Sequence, residues 1–137
     1  KMNKGILFSG TRKNAELARE HIKNHGILYW CLSKGVNYSK YYFPIIGLLH
    51  VKKEGIRYKC TINDIMPFST YHFDDSKKKP SSWIHEQKVE KKSYKSTLVI
   101  SKITPFQYDT FSLKNWKGEP IRNAPQGGYS KIIIPDY

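Results

Sequence analysis

The sequence predicts an α+β domain in which a curled, partly closed β-sheet barrel carries one main helix near the N-terminus. A single segment with helical spacing, Arg12 to Asn24, stands among five to seven short apolar segments of strand character. Aromatic residues make up 14% of the chain, which favours a core rich in rings over a leucine-packed helical bundle. The predicted strands are joined by both hairpin and long connections, as in curled sheets.

The chain has 137 residues, which suits one domain of ordinary size with a single hydrophobic core. We therefore expect one domain over residues 1–137. Because the first residue is Lys1 rather than methionine, we also expect the sequence to be a fragment of a longer protein.

The first elements are a short strand at Ile6 to Phe8 and the helix that follows it. Thr11 is the predicted N-cap, because its hydroxyl can accept a hydrogen bond from the first turn. The apolar stripe of the helix has the spacing i, i+3, i+7 and consists of Ala15, Ala18 and Ile22. Gly26 is predicted to end the helix in the left-handed conformation.

Three strands are predicted next. Ile27 to Leu32 and Phe43 to Val51 are apolar segments, and Lys52 to Gly55 is typical of a hairpin turn. Ile56 to Ile62 alternates clearly, so one face of this strand should be buried and the other exposed. The predicted buried face holds Ile56, Tyr58, Cys60 and Ile62.

The second half of the chain has weaker patterns. Pro67 to about Ser96 shows little periodicity, and long loops of this kind are either disordered or functional. Thr97 to Ile103 is predicted to be a strand, and Phe106 to Leu113 either a strand or a short helix. Asn115 to Gly128 is loop-like, and Lys131 to Ile134 is predicted to be the last strand of the sheet.

The charge of the chain indicates a polyanionic partner. Lys and Arg number 24 against 11 acids, a net charge of +13, and nucleic acid is the first candidate. We expect no membrane partner, because no apolar segment is long enough to span a bilayer. The segment from Lys77 to Lys117 holds ten lysines against three acids, and Trp83 and Tyr94 lie among them. The alternative is a solvated, lysine-rich surface without a specific ligand.

Nothing in the sequence favours catalysis, a metal or a cofactor. Cys31 and Cys60 lie in apolar strands, where free cysteine acts as a small buried hydrophobe, so we expect a reducing, cytoplasmic setting. His21 and His25 are one helical turn apart, but no further ligand follows them at a metal-binding spacing. A mid-strand cysteine offers no activated nucleophile. We expect a non-enzymatic domain without cofactors.

Trp30 is the residue whose environment matters most. Its ring is either part of the core or a flat surface on which a nucleobase stacks while lysines hold the phosphates. Trp83 favours the second interpretation, because its polar, lysine-bounded segment offers it no core of its own.

The order of these features resembles that of the YTH domains and their EVE relatives, the modified-base readers of the PUA-like superfamily. Four pieces carry the resemblance, which runs from Ile6 to about Ile132. They are a strand, polar turn and helix with an early asparagine, a glycine before a strand tryptophan, a loop tryptophan ahead of a strand ending in proline, and an asparagine loop followed by a glycine turn. Their residues here are Phe8 to Thr11 with Asn14, Gly26 to Cys31, Trp83 with Thr97 to Pro105, and Asn115 to Gly127.

The resemblance implies a pocket in which aromatic side chains enclose a methylated base. Carried over by position, Trp30 and Trp83 would be two walls and Tyr94 a third, Asn14 would read the base, and Cys31 would offer backbone contacts. Ser9, Thr11 and Arg12 would lie near phosphate. The basic segment adds four expected backbone contacts: Lys77, Lys78, Lys79 and Lys88.

Relatives of this fold also serve as DNA-recognition domains of McrB-type restriction systems, where a GTP-hydrolysing motor is attached. The resemblance therefore implies recognition of a modified base in DNA, with a fused or associated GTPase or nuclease. Three alternatives stay open: a reader of methylated adenine in RNA, a small hydrolase or deaminase of related fold, and a domain that binds an acidic protein.

Overall fold

Seven strands and two α-helices make up the regular structure in a computed structural model that describes residues 3–35, 41–68, 75–90 and 93–135. The helices are α1 (Arg12–His25) and α2 (Ser81–Glu90), and a 3₁₀ turn covers Thr110–Ser112. The strands are β1 (Lys4–Gly10), β2 (Leu28–Leu32), β3 (Ile45–Val51), β4 (Gly55–Pro67), β5 (Ser96–Tyr108), β6 (Lys114–Asn115) and β7 (Tyr129–Ile133).

All seven strands belong to one mixed sheet in the order β2-β5-β4-β3-β1-β7-β6. The pair β1 and β3 is parallel, and every other pair is antiparallel. Within the described residues β2 and β6 stand at opposite edges with no ladder between them. The α+β class is therefore confirmed, whereas the expected closure of the sheet into a barrel is wrong.

Successive side chains along a strand point to opposite faces of the sheet, so the core is divided between the two faces. Ile6 and Phe8 of β1 join the first core cluster, which also holds α1 through Ala15 and Ala18. Leu7, between them, joins a second cluster on the other face. β1 is buried on both faces because a core cluster covers each of them.

The ends of α1 follow local sequence signals. Thr11 is the N-cap and accepts a hydrogen bond from Asn14 N, and Gly26 ends the helix with a φ of 79°. Both predictions are confirmed. The cap fixes the point where the chain turns from β1 into α1, and that point borders the candidate site described below.

The four residues of β4 that were predicted to be buried are buried, but they do not all lie on the same face of the sheet. Ile56, Tyr58, Cys60 and Ile62 are all buried. Register shifts next to Ile56, however, place it in the second cluster while the other three lie in the first. A β-bulge changes the local twist of a strand, so a strict period of two does not hold through it. The hairpin turn at Lys52 to Gly55 is confirmed.

The largest correction concerns the segment expected to be one long loop from Pro67 to Ser96. Residues 81–90 of it form α2, whose N-terminus follows Pro80. α2 has no amphipathic period, so its sequence carries no helical signal, and its Trp83 packs into the first core cluster. The residues 69–74, 91 and 92 of that segment lie outside the described residues.

The bounds of several strands also differ from the prediction, those of β5 and β7 among them. β5 continues through Pro105 to Tyr108, so Phe106 to Leu113 divides between a strand end and the 3₁₀ turn. β7 begins at Tyr129, two residues before the predicted start. The expected loop at residues 33–42 is partly outside the described residues.

Neither described helix is long and apolar enough to cross a membrane.

Candidate functional site

A cavity of about 420 Å³ lies where the C-terminal end of β1 meets the start of α1, the end of β2 and α2. We call it the tryptophan cavity. Five separate stretches of the chain supply its lining, which consists of Ser9, Gly10, Thr11, Asn14, Trp30, Cys31, Ser33, Trp83, Glu86, Gln87, Ser93, Tyr94 and Gly127. All five residues predicted for a base pocket are in this set, together with Ser9 and Thr11. Tertiary structure thus brings together residues that are far apart in the sequence.

The two tryptophans meet in this cavity at right angles. Trp30 extends from β2 and Trp83 from α2, with ring centroids 5.3 Å apart and an angle of 87° between the ring planes. Only 8% of Trp30 and 7% of Trp83 is exposed, so both rings belong to the core and only a small part of each borders the cavity. A planar base cannot insert between rings in edge-to-face contact. The pair therefore forms a corner of the cavity, in which the two rings are adjacent and not opposed.

Asn14 is held in one orientation by the second tryptophan. Trp83 Nε1 donates a hydrogen bond of 3.0 Å to Asn14 Oδ1. Because an indole N–H can only donate, its partner must be the amide oxygen. The Asn14 amide nitrogen is therefore the other end of the group, and it carries two N–H donors at the cavity.

Gly10 allows Trp30 to lie against the backbone of β1. A Cβ atom at this position would be 2.7 Å from both Cη2 and Cζ2 of Trp30. Phe8 contacts the same indole edge-to-face, with a centroid distance of 5.3 Å. With Trp83 as a third neighbour, the Trp30 ring is in contact on several sides.

The cavity borders one buried hydroxyl that has no partner among the described residues, and two side chains that do have internal contacts. Ser9 Oγ is buried and has no hydrogen-bond partner in the described part of the chain. Buried polar atoms are nearly always paired, so an unpaired hydroxyl at a cavity is a position that a ligand or water would satisfy. The Cys31 thiol lies 3.8 Å from the Thr97 hydroxyl, and Tyr94 packs against Phe68 at a centroid distance of 5.5 Å.

The rim of the cavity is tied together across the fold. Ser33, just after β2, donates from both its backbone N–H and its hydroxyl to the carbonyl oxygen of Gly127. This double contact joins the edge strand β2 to the segment before β7. Ser33, Gly127, Glu86 and Gln87 are lining residues that sequence reasoning missed, because only the tertiary fold brings them to the site.

The residues predicted to contact phosphate have different environments. Arg12 forms an ion pair with Glu54 and donates to the hydroxyl of Tyr58, so its guanidinium is occupied within the protein. The hydrogen bond raises the pKa of Arg12 and lowers that of Glu54. Lys79 is only 1% exposed and donates to Gln87, which contradicts its expected role at the backbone of a ligand.

The other three lysines agree better with the expectation. Lys77 and Lys88 are exposed, and Lys78 is partly buried with its Nζ 5.6 Å from the ring centroid of Tyr29. Lys77 precedes α2 and Lys88 lies on it, so both are carried by the segment that supplies Trp83. Lys91 and Lys92 lie outside the described residues.

The histidine pair of α1 is structural. His21 is buried, and its Nε2 lies 2.9 Å from the carbonyl oxygen of Lys77, which fixes the start of the α2 segment against α1. Burial lowers the pKa of His21, with a smaller contribution in the same direction from His25. Among the described residues, no group of three His, Cys, Asp or Glu side chains could hold a metal ion.

Comparisons of the chain with models of protein families, with curated proteins and with solved structures find no match.

Proposed function

We propose that this chain is a nucleic-acid-binding domain that takes a modified, methylated base into the tryptophan cavity. The observation that carries the proposal is the meeting of Trp30, Trp83, Tyr94, Asn14 and Cys31 in one cavity, although they come from separate segments. The volume of about 420 Å³ is in the range of small-ligand sites. The net charge of +13 supports a polyanionic ligand.

The perpendicular rings suit a base that carries a methyl group on its edge. A base that stacks on the accessible part of one indole directs its edge towards the other ring. A methyl group on that edge would be buried against an aromatic surface, which is worth about 0.8 kcal/mol, or roughly a fourfold preference. Stronger discrimination requires that the unmodified base leave a void or a trapped water at the same place.

Asn14 supplies the polar part of recognition. Because its oxygen is held by Trp83, its amide nitrogen presents donors and would read an acceptor on the base, such as a ring nitrogen or a carbonyl oxygen. The Ser9 hydroxyl is a second group that a base or sugar could satisfy. The Glu86 carboxylate at the same cavity can accept from an exocyclic amine.

Access to such a cavity requires a base outside the helical stack. Both single strands and flipped nucleotides meet this condition, and the energy of unstacking is least where the base is already unpaired. Our proposal places the domain with the PUA-like YTH and EVE readers. It favours DNA recognition in a restriction system with an attached GTPase or nuclease, over an RNA reader of methylated adenine.

Binding of matched oligonucleotides tests the proposal. We expect tighter binding of a strand with a methylated adenine or cytosine than of its unmodified counterpart, by about fourfold or more. DNA and RNA versions of the same sequence, single- and double-stranded, identify the nucleic acid. Equal affinity for all modified and unmodified strands would refute the proposal.

Two variants separate the cavity from general folding effects. Trp30→Ala would remove a ring of the first core cluster and cost about 3 to 5 kcal/mol of stability, so loss of binding by it would be ambiguous. Asn14→Asp instead keeps an oxygen for Trp83 Nε1 but removes both N–H donors. It should weaken the binding of modified and unmodified strands alike, because it removes the donors that read the base, while leaving the folded state intact. Lys23→Ala, at the far end of α1, is the matched surface control.

A further inference from the structure

A second concave surface lies at the C-terminal ends of β3 and β5, and its lining comes near that of the tryptophan cavity at Gln126 and Gly127. It is an open groove of about 1130 Å³ bounded by the β3–β4 hairpin turn, the end of β5 with its 3₁₀ turn, and the segment before β7. We call it the Phe111 groove. Its cationic side chains are those of Lys53, Arg57 and Arg122.

The acids of the groove are already engaged within the protein. Glu54 is paired with Arg12, and Asp109 accepts hydrogen bonds from the backbone N–H of Phe111 and from the Ser112 hydroxyl in the 3₁₀ turn. The positive charges of Lys53, Arg57 and Arg122 therefore outweigh the acids for an incoming ligand. A surface of this kind attracts a polyanion.

The aromatic residue of the groove is unusually exposed. Phe111 is 70% exposed, and among the described large hydrophobic residues only Tyr42, at 93%, stands out in the same way. An exposed apolar ring next to cations combines the two elements that single-stranded nucleic acids use: stacking on a flat surface and neutralisation of the backbone.

The linings of the groove and the cavity come close to each other at two places. Gln126 lines the groove and Gly127, the next residue, lines the cavity. Glu54 of the groove pairs with Arg12, which follows the cavity residue Thr11. A strand whose base enters the cavity would therefore reach the groove without crossing the body of the protein.

We propose that the Phe111 groove binds the single-stranded segment that flanks the recognised base, with a flanking base stacked on Phe111 and its phosphates near Arg57 and Arg122. The inference rests on the proposed function of the tryptophan cavity and extends it from one nucleotide to a strand. It implies that the ligand is single-stranded on at least one side of the modified base.

A length series tests the inference. Strands with the modified base at one end, extended only in the 5′ or only in the 3′ direction, are compared with the modified mononucleotide. Only one direction of extension should add the contribution of the groove. Phe111→Ala should weaken that extended strand by about 5- to 150-fold and leave the mononucleotide unaffected. Tyr42→Ala, an exposed aromatic at the opposite end of β3, is the matched control and should change neither.

The charged side of the groove has its own readout. The double variant Arg57→Ala with Arg122→Ala should make the dependence of log affinity on log salt shallower by up to about 1.4 for the extended strand. Lys23→Ala, which removes a lysine from the far end of α1, should leave the salt dependence of binding nearly unchanged.

The outcomes separate the two proposals. If Phe111→Ala still discriminates the methylated base and still gains full affinity from extension of the strand, the groove assignment alone is overturned. Absence of discrimination in every strand would overturn the proposed function, and the flank assignment with it. Competition by an acidic peptide as strong as that by the extended strand would also overturn the groove assignment, in favour of a protein ligand.

Discussion

Gly10→Ala tests the packing of the tryptophan cavity with a single methyl group. The new Cβ atom would be 2.7 Å from two carbon atoms of the Trp30 ring, well inside normal contact distance. Gly10 is not in the left-handed region, so the substitution acts through this overlap and not through backbone strain. Because Phe8 and Trp83 hold the ring on other sides, we expect it to be displaced into the cavity.

The expected magnitude follows from two opposing effects. Overpacking in a core costs about 1 to 3 kcal/mol. The reduced entropy of the unfolded chain on replacing glycine returns about 0.4 to 1 kcal/mol. The variant should thus be destabilised by about 1 to 2 kcal/mol and should also lose methyl discrimination, because the cavity is partly filled.

Urea denaturation and oligonucleotide binding measure both effects. Gly35→Ala is the matched control, because a Cβ atom there meets no atom of the described part of the chain within 4 Å. That control should lie within about 0.5 kcal/mol of the parent, as is usual for surface substitutions. A stability of Gly10→Ala within the same margin, with discrimination unchanged, would show that the Trp30 ring is not packed against β1 as described.

Three further predictions follow from the site. Trp83→Phe should lower the stability by about 0.5 to 1.5 kcal/mol through loss of the hydrogen bond to Asn14, in addition to the effect of the smaller ring. A double-mutant cycle with Asn14→Ala should recover that coupling energy, and additive effects would contradict the hydrogen bond. Thiol labelling of the native protein should modify Cys31, which lines the cavity, and not Cys60, which is fully buried and has a raised thiol pKa. Cys31→Ser should therefore abolish the labelling, and a bound modified strand should slow it. Burial lowers the pKa of His21 in the folded state below its value in the unfolded state. The unfolded state therefore takes up the proton first, and the stability should fall as the pH drops from about 7 towards the lowered pKa. His21→Gln should flatten this pH dependence and the exposed His85→Gln should not, so identical pH profiles of the two variants would refute the assignment.

Local signals in the sequence were sufficient for much of the fold. The Thr11 cap, the Gly26 end of α1 and the burial of alternate residues from Ile56 to Ile62 depend on near neighbours in the chain. The structure confirms each of them, although Ile56 lies on the other face of the sheet. The existence and approximate position of most strands follow from the same kind of pattern. These features are local because the hydrogen bond of a helix cap and the alternation of side chains along a strand are decided within a few residues.

α2 shows where local reasoning failed. Its apolar residues have no helical period, so neither the helix nor the burial of Trp83 and Lys79 could be read from the segment. Its contact with α1 through Trp83 and Asn14 and its place in the first core cluster come from tertiary packing, which overrides weak local propensity.

The sequence by itself determined the α+β class, the positive charge and the identity of the aromatic residues available for a base pocket. Only the tertiary structure decided that Trp30 and Trp83 meet at a right angle, that Asn14 is oriented by an indole N–H, and that the Phe111 groove lies beside them. The physical reason is that ring angles, hydrogen-bond partners and neighbouring surfaces depend on contacts between segments far apart in the chain, which composition and periodicity do not encode.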